Sequence, residues 1–125
     1  MGHSPIVNAA IRGIVMQAAM VLLGNLVPAI GRTPNFYAIA GSALAALTGA
    51  LVPRLAREAT AGQAAMGGGI AGGASSIVGG LLAVVSGQWP DFQAVQLLYP
   101  AISGAVAGGV GGVVARLMRT PAPAR

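Results

Sequence analysis

The chain has 125 residues, of which 55% are hydrophobic and only 7% charged, against roughly 25% charged in soluble domains. Seven arginines and two acids cannot clothe a water-facing globule, which would be mostly apolar and prone to aggregate, so the composition excludes a soluble fold and makes a lipid bilayer the natural solvent. The net charge of +5 does not indicate nucleic acid, because the arginines punctuate apolar segments rather than gather on one face, and the absence of Cys excludes disulfides, thiol catalysis and thiolate metal sites.

The first residues, MGHSPIVNAA, lack a basic region ahead of a short apolar core, so no cleavable signal peptide is expected. Four stretches then approach the about 20 predominantly apolar residues that a membrane helix needs, at 9–30, 36–52, 63–86 and 93–115. In the first, Arg12 sits at the start, where it can snorkel to the interface. Gln17 and Asn25 are its polar residues, and Pro28 is expected to kink it. A loop reading Gly31-Arg32-Thr33-Pro34-Asn35-Phe36 leads into the second stretch, which carries the small residues Gly41, Ala45 and Gly49 beside Thr48 and ends in Val52-Pro53-Arg54-Leu55-Ala56-Arg57.

The third stretch opens with GGGIAGG at 67–73. Gly67, Gly69 and Gly72 satisfy G-x-G-x-x-G, and Asp91 lies 19 residues beyond Gly72, near where a dinucleotide site would place its ribose-binding acid. That fingerprint needs a hydrophobic strand before the first Gly. A polar linker and small residues precede Gly67 instead, so the run reads as part of a membrane helix. At about 100° per residue, Met66, Ile70, Ile77, Leu81 and Val84 form a bulky stripe, and Gly68, Gly72, Ser75, Gly79 and Ala83 fall on a smooth face opposite. A broken helix, opening backbone groups around 67–69 and Ser75-Ser76 to a polar path, is the sharper alternative.

The second outer loop reads Gly87-Gln88-Trp89-Pro90-Asp91-Phe92, and the fourth stretch ends in Val114-Ala115-Arg116-Leu117-Met118-Arg119. Its smooth face includes Gly104, Gly108 and Gly111, its polar residues are Gln96 and Ser103, and Pro100 is expected to kink it. Small faces of this kind let helix backbones approach closely in lipid, where there is little hydrophobic force between helices.

Two comparisons along the chain add organisation. Both outer loops are G-x-x-P-[N/D]-F and both following helices end in V-x-R-L-x-R, at offsets of 56 and 62. Residues 9–57 and 65–119 therefore read as a tandem duplication of a two-helix hairpin, the second copy carrying six extra residues. The charge placement sets orientation, since short cytoplasmic loops collect Arg: Arg12, Arg54, Arg57, Arg116, Arg119 and Arg125 fall on one side, Arg32 and Asp91 on the other. Both termini are expected in the cytoplasm. The aromatics Phe36, Tyr37, Trp89, Phe92 and Tyr99 all lie in or near the outer loops and read as an interfacial belt.

No Asp, Glu, His or Lys lies in any span, which argues against an ion-coupled relay. No nucleophile has a candidate base and no ligand cluster suits a metal, so neither an enzyme nor a cofactor is expected. The expectation is an all-α integral membrane protein, a four-helix bundle with glycine-zipper packing. Heavy use of Ala, Gly and Arg without Lys fits a GC-rich bacterial genome and hence an inner membrane. Its expected partners are the bilayer and either further copies of itself or a larger membrane complex. The expected function is that of a structural or accessory subunit assembling through small-residue faces. The alternative is an oligomeric, holin-like channel or facilitator for a neutral or weakly charged solute, with Gln17, Asn25, Thr48, Ser75, Ser76, Gln96 and Ser103 as its polar pathway.

Overall fold

The computed structural model describes residues 4–31, 36–87 and 91–118. These form α1 (Pro5–Leu26), a single turn α2 (Pro28–Gly31), α3 (Phe36–Leu55), α4 (Ala61–Val85), a 3-10 turn (Ala94–Leu97) and α5 (Leu98–Met118), with no strand among the described residues. Four segments are long and apolar enough to cross a membrane: α1, α3, α4, and the 3-10 turn continued by α5.

Capping chemistry sets the helix ends, and it moves them from where hydropathy alone places them. The Ser4 hydroxyl accepts from the Val7 amide at 3.1 Å and Pro5 takes the first turn, where its missing N–H and fixed φ cost nothing. α1 therefore begins at Pro5 rather than at Ala9, which leaves Arg12 two turns inside the helix and exposed. Val27, ahead of a proline, leaves helical geometry, so Pro28 starts the separate α2 instead of kinking a continuous helix. α4 begins at a capping box, in which Thr60 Oγ1 accepts from the Gln63 amide at 3.1 Å and Gln63 Oε1 accepts from the Thr60 amide at 2.9 Å. It then runs unbroken to Val85 through both the 67–69 glycines and Ser75-Ser76, so the broken-helix alternative does not hold. Gly87, at φ +82°, ends it in the left-handed conformation that a residue with a Cβ resists. Pro100 lies in the first turn of α5 and produces no mid-helix kink, because the only hydrogen bonds it could remove there are ones a helix start lacks anyway.

α4 is the hub of the bundle. It packs on α1, α3 and α5, while α3 also packs on α1 and α5, and no interface of comparable extent joins α1 to α5. α4 and α5 run antiparallel, with Gly80 against Pro100, Gly72 against Gly104 and Ala65 against Gly109. α1 and α4 run parallel at a steady offset of about 62, with Ile6 beside Gly67, Gly13 beside Ser75 and Gln17 beside Gly79.

The interior is built from small residues. Ala9, Ala45, Ala64 and Ala71 are fully buried, whereas Val85 is 85% exposed, Met66 70% and Leu117 70%. In water that distribution would be inverted. In lipid, bulky apolar side chains facing outward meet a solvent of their own polarity.

Candidate functional site

Two features of the bundle gather the small residues and part of the polar residues singled out from the sequence: the surface where α3, α4 and α5 meet, and a cavity at one end.

At the first, glycine backbones stand where side chains cannot. An ideal Cβ on Gly72 would lie 2.5 Å from the Gly104 oxygen and 2.8 Å from Gly108 Cα, distances that real Cβ atoms essentially never show. On Gly68 and Gly108 it would run into each other's carbonyl, on Gly49 into that of Gly108, on Gly111 into that of Ala46, and on Gly104 into the Ser76 hydroxyl. Gly79 faces Gln17 Oε1 at 2.8 Å on the same construction, and the Ala45 oxygen lies 3.2 Å from the position of a Gly72 Cβ. Gly41 is different, its nearest neighbours being at an ordinary 3.8 Å. Two more positions belong to this set. A Cβ on Gly13 would lie 2.5 Å from Thr48 Oγ1 and 2.9 Å from Ser75 Cβ, and one on Gly112 would meet the Ala64 carbonyl. Ala9, Gly13 and Gln17 stand four residues apart and are all buried, a step that the long polar Gln17 masks in the sequence.

The cavity, about 300 Å³, lies between α1, α3, α4 and α5 at the end where α1 and α4 finish and α3 and α5 begin. Of the seven uncharged polar residues, it brings together three, Gln17, Ser76 and Ser103. Gln17 is 2% exposed and its Nε2 donates to the Gly41 oxygen at 3.2 Å, tying α1 to α3. Thr48 and Ser75 are fully buried but outside the cavity lining, and each hydroxyl donates back along its own helix, to Leu44 O at 2.7 Å and Gly72 O at 3.1 Å. Asn25 is exposed and donates to Val21 O at 3.0 Å. Gln96 sits in the exposed 3-10 turn and accepts from the Gln93 amide at 2.8 Å. Ser42, Met20, Gly80 and Pro100 complete much of the wall, and no local pattern distinguishes them.

The aromatic residues divide as well. Phe36 and Tyr37 are half-buried, meet edge to face with centroids 5.0 Å apart, and pack on Met20, Val21 and Ala83. Tyr99 is 62% exposed and borders the cavity, and Phe92 is half-buried. Trp89 lies outside the described residues, as do Arg32, Arg119 and Arg125. At the opposite end, Arg54 closes α3, Arg57 and Glu58 are exposed in the following loop, and Arg116 Nε donates to the Ala59 oxygen at 2.7 Å, which ties the end of α5 to that loop.

Comparison with protein-family models, with curated proteins and with solved structures returned no match.

Proposed function

We propose that the chain is a non-catalytic integral membrane protein of the bacterial inner membrane, a structural or accessory subunit that assembles through its small-residue helix faces. The observation that carries this reading is the run of close approaches linking Gly49, Gly68, Gly72, Gly104, Gly108 and Gly111 across α3, α4 and α5. Beyond Gln17 and Ser76, where the cavity lining stops, these contacts leave backbone against backbone. The outward ridge of Ile102, Val106 and Val110 on α5 is exposed and free to meet lipid or another subunit.

The two hairpins are read as tandem copies. α3 starts on Phe36 itself, whereas α5 starts at Leu98, six residues after Phe92, so Phe92, Gln93 and the four-residue 3-10 turn together match the extra length of the second copy. The offset of α1 against α4, about 62, equals that of the two V-x-R-L-x-R motifs. The packing departs from a strict two-fold, since α3 lies on α4 while its counterpart α5 has no comparable interface with α1. Arg54, Arg57 and Arg116 at one end support placing both termini in the cytoplasm.

A second reading, an oligomeric facilitator for a neutral solute, draws on the cavity. Purification in mild detergent, followed by solute flux into proteoliposomes holding only this protein, separates the two. The first reading expects a stoichiometric co-purifying subunit or a defined homo-oligomer, and no leak of glycerol or urea. A reproducible, selective leak with no partner would replace it with the second.

A further inference from the structure

The cavity described above has a volume of about 300 Å³, the share of about ten water molecules at about 30 Å³ each in the liquid. That is the lower end of the range for small-molecule sites. Its walls are of two kinds. Met20, Tyr37, Tyr99 and Pro100 supply flat or polarizable apolar surface, and Gln17, Ser42, Ser76 and Ser103 supply amide and hydroxyl groups. Much of that wall is apolar and offers water no partner. Among the described residues, no Asp, Glu, His, Lys or Arg lines the cavity, so an ion entering it would meet no counter-charge from them.

Tyr37 contributes a further observation. It lines the cavity, and its hydroxyl is buried with no hydrogen-bond partner among the described residues. A buried polar group left unpaired carries its full desolvation penalty, and a phenolic hydroxyl can turn about its C–O bond to donate or accept. Because that oxygen has almost no accessible surface, a molecule in the cavity would pair with it only after the Tyr37 side chain turns.

We propose that the cavity is a binding site for a small uncharged ring compound carrying one hydroxyl or amide group. The ring would lie against the tyrosine, methionine and proline surface, with its polar group in reach of the Ser42 and Ser103 hydroxyls. The proposal is independent of whether the protein acts as a subunit or a facilitator.

The test is calorimetric titration of the full chain in lipid nanodiscs, with empty nanodiscs subtracted, using 2-naphthol as the neutral probe and 2-naphthoate and 2-naphthylmethylammonium as its charged counterparts. Saturable one-to-one binding of 2-naphthol, at least about tenfold tighter than either ion, is expected. Ser103→Ala should weaken it about three- to tenfold, the worth of one hydrogen bond, and Ser103→Phe should abolish it by filling the space while leaving the unfolding midpoint in detergent unchanged. If Ser103→Phe fails to fold, Ser42→Phe serves the same purpose. Equal binding of all three probes, no saturable binding, or binding that the Ala and Phe variants at Ser103 both leave unchanged would overturn the proposal. So would a phospholipid retained in native mass spectra that 2-naphthol does not displace, since an acyl chain is then the occupant.

Discussion

Gly108 stands against three other glycines at once. Its backbone meets Gly49 on α3 and both Gly68 and Gly72 on α4, and a single methyl group there would press on the Gly68 carbonyl and on Gly72. Gly108→Ala is expected to destabilise the protein by about 1–3 kcal/mol, the usual cost of forcing atoms into a packed interior. Val106→Ala, at a position 62% exposed, should change stability by no more than about 0.5 kcal/mol. Unfolding of the purified protein in mixed SDS and mild detergent measures both, and equal losses would remove packing as the role of Gly108. A step of four residues repeats one face of a helix, which is why Gly68, Gly72, Gly104 and Gly108 are legible from spacing alone. Gly13 was not, because its stripe on α1 alternates with Gln17 and Met20 and reads as a polar or bulky face. The convergence expected of the uncharged polar residues was legible only in part. A Thr or Ser hydroxyl inside a helix has its own preceding carbonyl within reach, and Thr48 and Ser75 take it. Gln17, with a longer side chain, crosses to Gly41.

Helix number and type follow from apolar length, but helix ends obey different chemistry. Hydropathy averages over a window, and a capping residue is polar, so the average passes over it. Ser4-Pro5 and Thr60-x-x-Gln63 are start signals that can be read directly, and they place α1 and α4 earlier than apolar character does. The 3-10 turn is the reverse case. Ala94–Leu97 is apolar enough to count as span, yet α5 proper begins only at Leu98, which sets Pro100 in a first turn. Thr60→Ala should cost about 1 kcal/mol by removing the cap and should speed amide exchange at Ala61, Gly62 and Gln63, while protection deeper in α4, at Ala71 and Gly72, stays as it was. Exchange unchanged at the first turn would show that tertiary contacts, not the cap, fix that end.

At the scale of the whole molecule, neighbour relations among the helices carry information that no single segment holds. α3 and α4 stand between α1 and α5, and the cavity is bounded by all four helices because the two outer ones do not close on each other. Hydropathy marks which segments enter the membrane and is silent on which of them touch. Orientation is a separate matter of charge. The chain contains no cysteine, so single cysteines report topology without background. Arg57→Cys and Asp91→Cys, both at exposed loop positions, should react with a membrane-impermeant maleimide from opposite sides of sealed vesicles, Cys at position 57 from the cytoplasmic side. Labelling of both from the same side would refute the four-span arrangement.

The close meeting of glycine backbones also sets which changes this chain can tolerate. In a water-soluble protein the sensitive positions are the large apolar residues of the core, and exchange is free on the polar surface. Here the large residues, such as Val85, Met66 and Leu117, face outward and can be swapped for one another wherever lipid is their only neighbour. The demanding positions are those with no side chain at all. Every missense change at Gly49, Gly68 or Gly108 adds an atom where a carbonyl already stands, so sequence drift in such a protein is expected to rewrite its bulky residues freely while its emptiest ones stay fixed.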